Sequence, residues 1–468
     1  MKGRMQKILF EDNSYPQKSS TECDGYEGAQ TFIGISENNL VEVIPTEERL
    51  MEEIFSSHNL NQAYRQVVSN QGAGGVDKMQ VEELRDYLRE HKDELLTSLM
   101  SGQYKPTPVS RVEIPKGNGK LRPLGIPTVV DRLIQQAISQ VLTKIYDPTF
   151  SNWSFGFRPR RGCHDALRRV QRHVDLGYKY VVDLDLEKFF DKVNHSKLIR
   201  LLSERIKDNR LISLIHKYLN AGVIVSGKFE RTTEGVPQGG NLSPILSNIM
   251  LNELDNELAN RGHKFVRYAD DCMILCKSQR SSQRMQESIT KFIEQKLSLR
   301  VNREKTRVGY VRGMKFLGYS FYISKGKCRL SLHKSSLDKM KSRLKEITSR
   351  SNSMGYARRK WKLREYIQGW ITYYHLADMR QHLKRVDEWL RRRIRMCVWK
   401  CWKRPKTKFK NLQRCGIDKQ KSLEWANTRK GYWRIAKSTI LSRAITNESL
   451  NQAGYTFLSD CYSRYYRN

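Results

Sequence analysis

Apolar residues recur at helical spacing from Thr46 onward, at Leu50, Ile54, Leu60, Ala63 and Val67. The Gly72-Ala-Gly-Gly75 run breaks the pattern before a second helix that reaches about Leu96. Tyr104-Lys-Pro-Thr-Pro108 marks a proline turn, and Ser110 to Ile114 then reads as a strand. From Val181 to Cys276 the pattern gives a strand, a helix, a connecting pair, a second helix and a hairpin. Past residue 330 it turns helical, through Leu337, Met340 and Leu344 and then Tyr366, Ile367, Trp370, Tyr373 and Tyr374. Residues 1–45 are polar, with Ser, Gly, Asn and Pro interspersed and no sustained period, and read as an extension. The pattern predicts an α+β chain in four regions: this extension, a mixed region 46–330, a helical region 331–400 and a basic region 401–468.

The hairpin Lys264-Phe-Val-Arg-Tyr-Ala-Asp-Asp-Cys-Met-Ile-Leu275 sets two adjacent carboxylates, Asp270 and Asp271, between apolar strands. Neighbouring aspartates in a tight turn repel unless a cation or solvent neutralises them, so the arrangement suggests an Mg2+ site with oxygen ligands. A third acid is expected from Tyr178-Lys-Tyr-Val-Val-Asp-Leu-Asp-Leu-Glu-Lys-Phe-Phe-Asp191, where Asp183 and Asp185 share one face of a strand. Acids from two elements holding two Mg2+ suit phosphoryl transfer: one ion activates a hydroxyl and the other steadies the leaving oxygen. Taken alone, an Asp-Asp pair is more often a solvated turn, and it is the surrounding motifs that favour chemistry.

Charge narrows the partner. The chain has 85 Lys plus Arg against 49 Asp plus Glu, a net +36, with a sequence pI near 9.9. Residues 331–468 carry 34 basic and 10 acidic side chains, a net +24, whereas residues 1–45 carry 4 and 7, a net −3. The C-terminal part is therefore the expected footprint for nucleic-acid phosphate, with binding that weakens steeply in salt. Within Arg391 to Lys410, ten of twenty residues are basic and none is acidic, with Trp399, Trp402 and Phe409 interleaved. Arg391, Arg392, Arg393, Arg395, Lys400, Lys403, Arg404 and Lys406 are the candidate RNA-binding residues, against the plainer reading of a solvated face.

Tyr268-Ala-Asp-Asp271 with the upstream Asp185 resembles the palm of a reverse transcriptase, and the flanks resemble those encoded by bacterial group II introns. The other landmarks are Ile114-Pro-Lys-Gly-Asn-Gly-Lys-Leu-Arg-Pro-Leu-Gly-Ile-Pro127, Ser154-Phe-Gly-Phe-Arg-Pro159, Gly235-Val-Pro-Gln-Gly-Gly-Asn-Leu-Ser-Pro244, Leu299-Arg-Val-Asn-Arg-Glu-Lys305 and Phe316-Leu-Gly-Tyr-Ser-Phe321. Ala426-Asn-Thr-Arg-Lys-Gly-Tyr-Trp-Arg434 is similar to the end of the compact class C type. The resemblance implies a right-hand polymerase: fingers and a ferredoxin-like palm, then a helical thumb or maturase region and a basic C-terminal region.

It also implies roles. Asp185, Asp270 and Asp271 would be the catalytic metal ligands, Asp185 being preferred to Asp183 because Phe190 then falls where the family keeps an aromatic beside the sugar. Lys116 and Arg122 would clamp the triphosphate of a deoxynucleotide. Gln238 would reach its sugar or base edge, and Lys305 would lie near its phosphates. Each has a plainer alternative: Phe190 as core, Lys305 as a surface charge, and Lys116 and Arg122 as a solvated hairpin edge. Arg158 is balanced between function and a structural ion pair. The implied activity is RNA-directed DNA synthesis on a DNA primer and RNA template, together with binding of the parent intron RNA and help in its splicing. The alternatives are a maturase without polymerase activity and a domesticated reverse transcriptase in host repair or defence.

Other classes fit less well. No apolar run approaches the roughly 20 residues of a membrane span, and Met1 to Phe10 is no secretory signal. Nine scattered cysteines suggest a reducing cytoplasm. Cys272 with Cys276, and Cys397 with Cys401, have thiolate spacing but lack further partners, so packing is expected for both pairs rather than zinc. The chain stops after the basic region, so no appended zinc-dependent nuclease is expected.

Overall fold

The computed structural model describes residues 49–115 and 121–466. Its first body begins with the helices Leu50–Ile54, Ser57–Asn70 and Leu84–Met100, followed by Val129–Tyr146. Their ends are set locally. The Ser56 side chain accepts from the Asn59 N–H and that of Thr128 from the Asp131 N–H, each satisfying a donor left free in a first helical turn. Leu60, Ala63 and Val67 are buried from one face of the second helix, and Leu84, Leu88, Leu95 and Leu99 from the third, as their spacing predicts.

The strands, in chain order, are β1 (Val109–Pro115), β2 (Leu121–Ile126), β3 (Tyr180–Leu184), β4 (Val223–Val225), β5 (Lys228–Glu230), β6 (Lys264–Tyr268), β7 (Asp271–Cys276), β8 (Arg307–Tyr310), β9 (Lys315–Phe316), β10 (Tyr319–Ser324) and β11 (Lys327–Leu332). A fingers sheet runs β2-β1-β4-β5, with β1 and β2 antiparallel. The central sheet runs β6-β7-β3-β8, all antiparallel, with the helices Ser243–Asn260 and Gln279–Lys296 in its two crossovers. That is the ferredoxin-like palm expected from the sequence.

Side-chain parity divides this sheet between two cores. Val182, Leu184, Phe265, Cys272, Ile274 and Cys276 pack with the fingers and palm helices. Val181, Val266, Met273 and Leu275 point the other way, into a core built with the β9–β11 sheet and the helices Lys334–Ile347, Tyr356–Tyr374 and Arg380–Cys401. Asp183, Asp185 and Asp271 have the parity of this second face. They lie at the end of the strands, where the apolar residues give way to acids.

The boundary expected at residue 400 falls inside the helix Arg380–Cys401. Residues on both sides of it share one core, and the buried Asp387 accepts from the N–H groups of Leu458 (2.9 Å) and Ser459 (2.8 Å), capping the helix Leu458–Ser463. Residues 331–400 and 401–466 are thus one packed unit. No helix among the described residues is long and apolar enough to cross a membrane.

Candidate active site

The β6–β7 hairpin closes with Tyr268 opposite Asp271, so Ala269 and Asp270 form its two-residue tip. Ala269 takes a left-handed conformation (φ 56°), unfavourable for a residue with a Cβ, and its neighbours hold it there. Beneath the tip lies Arg267, wholly buried and paired with the equally buried Asp255 (Nε–Oδ1 2.8 Å, Nη2–Oδ2 2.6 Å). Its remaining nitrogen, Nη1, donates to Asn248 Oδ1 and to the Ala269 carbonyl, each at 3.0 Å. Residues 153–155 run along the outer edge of β6, with Arg267 N–H on the Trp153 carbonyl and Phe155 N–H on that of Arg267, both 2.9 Å. The next residue, Gly156, is so close that a Cβ there would stand 2.2 Å from the Ala269 nitrogen.

Register brings the third acid to the hairpin. Asp183 is opposite Met273 and Leu184 opposite Cys272, so the next step sets Asp185 across from Asp271. Asp185 is fixed through its backbone: its N–H donates to Thr306 Oγ1 (3.2 Å) and its carbonyl accepts from the Asn302 N–H (2.8 Å). Lys305 Nζ lies 3.2 Å from Asp185 Oδ1. The predicted phosphate-side lysine thus meets a predicted metal ligand.

Burial and mutual repulsion outweigh the nearby cations Lys305, Arg307 and Lys315 at two of the acids. Burial, then Asp270 and Asp185, push the Asp271 carboxyl up to about 6. Burial, then Asp271 and Asp185, push Asp183 up to about 6 as well. Asp183, which the sequence ranks behind Asp185 as a ligand, belongs to the same cluster. All its donors are carboxylate oxygens, which suit a hard divalent cation such as Mg2+. Among the described residues, no three acid, histidine or cysteine side chains are already arranged to hold a metal ion. Asp185 is engaged by Lys305 instead.

The predicted nucleotide residues gather beyond β3. Arg122 Nε donates to Gln238 Oε1 (2.9 Å), and the Gly125 N–H donates to the Gln238 carbonyl (2.6 Å). Gly239 permits this approach: at φ +115°, a Cβ there would lie 2.3 Å from the Gly125 oxygen. The Val236 N–H donates to the Phe190 carbonyl (2.6 Å), tying the glycine-rich turn to the helix after β3. Phe190 is buried against Phe189, so a core role holds for it whatever else its ring does. Lys116 lies outside the described residues. Arg158 is a structural ion pair: buried, it donates to Asp147 Oδ1 (2.6 Å) and to the carbonyls of Asp147, Ser151 and Ser154.

The basic run splits in two. Arg393 donates to the carbonyls of Lys345 and Thr348 at the end of the helix Lys334–Ile347, and Arg395 to the Ile445 carbonyl at the end of Thr439–Ala444. Arg392 donates to the Trp433 carbonyl (2.8 Å) and lies over its ring, Arg391 lies over Phe457, and Lys400 bonds the Arg350 carbonyl. These five are engaged within the fold, several as caps on carbonyls that a helix leaves unpaired. Lys403, Arg404 and Lys406 are exposed. Trp399 is core, at 1% exposure. Cys272, Cys276 and Cys397 are buried, and Cys401 is exposed.

Sequence reasoning missed Arg267, Asp255, Asn248 and Gly156 as supports of the turn. One signal was available: a charged residue at an inward position of an apolar strand.

The family "Reverse transcriptase (RNA-dependent DNA polymerase)" matches residues 114–321, and "Group II intron, maturase-specific domain" matches 337–416. Protein YkfC of Escherichia coli (strain K12) is 36% identical over 313 residues, 58% of this chain and 82% of that protein. The group II intron-encoded protein LtrA of Lactococcus lactis subsp. cremoris is 34% identical over 328 residues, 56% of this chain and 54% of its own length, so the match spans about half of LtrA. Among solved structures, a chain of a partial Cas6-RT-Cas1--Cas2 complex is 25% identical, with 53% of this chain and 43% of that one covered and a TM-score of 0.34.

Proposed function

We propose that this chain, which belongs to the family of group II intron-encoded reverse transcriptases with a maturase domain, extends a DNA primer on an RNA template and binds its intron RNA to assist splicing. The observation that supports the polymerase reading is the register of β3 on β7, which ends at Leu184 opposite Cys272 and so brings Asp185 to the level of Asp271, next to Asp270 at the hairpin tip. Two Mg2+ held by Asp185, Asp270 and Asp271 would activate the primer 3′-hydroxyl and neutralise charge on the leaving pyrophosphate. The other groups bind and orient. Arg122 presents a planar fork to the phosphates, and Lys116 would add a point charge. Lys305, released from Asp185, supplies a further cation to the triphosphate. Phe190 narrows the space at the sugar and favours a deoxyribose. Buried Arg267 holds the backbone of the hairpin tip through the Ala269 carbonyl, so that the side chains of the acids can adjust on a fixed turn.

The maturase reading rests on the matched domain at 337–416 and on the net positive charge of residues 331–468, with Lys403, Arg404 and Lys406 as accessible contacts. Primer extension on an RNA template, comparing the parent with Asp270→Ala, tests the polymerase. The parent should extend and the variant should not; equal products from both would remove the reading. A parent that extends no primer but promotes intron splicing would favour a maturase alone.

A further inference from the structure

Phe157 is an aromatic residue held in an unfavourable backbone conformation and left half open to solvent. Its φ is +58° and its relative exposure 50%. Left-handed backbone is costly for a residue with a Cβ, and exposure forgoes the burial a phenyl ring ordinarily gains, so local preference opposes this arrangement twice. The flanking residues impose it. The Gly156 carbonyl accepts from the buried Asn248 Nδ2 (2.9 Å) while its Cα lies against the Ala269 backbone. On the other side, the buried Arg158 is tied to Asp147, Ser151 and Ser154. Strain that persists between two such anchors marks a position the surrounding structure maintains.

The place is specific. Phe157 follows the residue touching the hairpin tip, on the edge of the palm formed by residues 153–156 and β6. Asp185, with Lys305, lies at the end of β3, across β7 from that edge, and Phe190, Val236 and Gln238 follow from the same end. The incoming nucleotide therefore has its groups on one side of the acids, and Phe157 flanks the other. Arg160, also left-handed (φ 57°), is exposed three residues on. An open ring with a cation nearby is the combination that stacks on nucleic-acid rings while the charge meets phosphate.

We propose that Phe157 stacks on the primer–template duplex at its growing end and is a duplex-binding residue rather than a nucleotide-binding one. This rests on the polymerase reading above. The test uses a DNA primer annealed to an RNA template, with affinity measured by fluorescence anisotropy and the deoxynucleotide KM by steady-state extension, for the full chain and for Phe157→Gly and Phe157→Trp. Glycine relieves the backbone strain, so Tm should hold or rise, while the duplex Kd weakens roughly fivefold to hundredfold through loss of stacking. The nucleotide KM should stay at the parent value, and Phe157→Trp should keep duplex affinity. A glycine variant that binds duplex like the parent overturns the proposal, as does a loss confined to the nucleotide KM or a fall in Tm that marks the ring as packing. A parent that binds the duplex but extends nothing removes the polymerase reading alone, and the Kd comparison still decides the role of Phe157.

Discussion

Removing the charge beneath the β6–β7 hairpin separates what holds the fold together from what positions the acids. Arg267 and Asp255 have no solvent exposure, and both Asp255 oxygens receive the guanidinium. Arg267→Met leaves a buried carboxylate without its partner, a change that costs about 3–5 kcal/mol. Against a total stability of roughly 5–15 kcal/mol, that is a large share. Replacing both residues, Arg267→Met with Asp255→Leu, removes the stranded charge, and apolar replacements of buried pairs are often neutral. The double variant still leaves Asn248 Oδ1 and the Ala269 carbonyl without this donor, so it should end about 2 kcal/mol below the parent and well above the single variant. Activity should not recover with stability. The Ala269 carbonyl sits at the hairpin tip, and a shift of about 1 Å in a catalytic group can cost roughly a hundredfold in rate. Urea denaturation and single-turnover primer extension at saturating Mg2+ give the two readouts. Extension by the double variant at the parental rate would show that the guanidinium does not position the tip.

Further outcomes are expected from the same geometry. Lys305→Ala should raise the deoxynucleotide KM, since this cation is proposed to move from Asp185 to phosphate, and an unchanged KM would confine it to the ion pair. The triple variant Lys403→Ala, Lys406→Ala and Arg404→Ala should weaken intron-RNA binding and lower the slope of log K against log salt by about 2, with Tm unaltered. Arg395→Ala should instead lower stability by about 1–2 kcal/mol in urea melts, because it uncaps the Ile445 carbonyl. A carboxyl raised by folding stabilises below its unfolded pKa, near 4, and that contribution is lost as pH rises through the folded value. With Asp183 and Asp271 at about 6, Mg2+ should raise Tm more at about pH 7.5 than at about pH 5, where protons compete for the same oxygens. Equal gains at both pH values would argue against an ion among these acids.

The parts of the palm legible in the sequence are those governed by period and parity. Alternation around Val181 and Met273 locates the strands, and the two-residue spacing that gives Asp183 and Asp185 one parity is continued by the register, in which Asp183 lies on β3 and Asp185 follows just past its end. Pairing across long separations was not legible: nothing local in Asp255 or Asn248 announces that they meet Arg267 under the hairpin. The basic run shows the same limit more sharply. Its charge density was read as one surface, yet Arg392, Arg393 and Arg395 find partners 41 to 52 residues away, on backbone carbonyls and on Thr348 and Asn447 side chains. Charge density reports how many cations a segment carries and not which of them the fold has already used. A long helix crossed by the ends of shorter ones needs donors along its length, and arginine, with five N–H groups on a planar fork, can cap a neighbouring helix while its stem fills the seam between them. The helix Arg380–Cys401 is used in this way, with Asp387 serving the opposite pole of another helix. Exposed residues beyond its end, and not the densest stretch of charge, are then where RNA contact is to be sought.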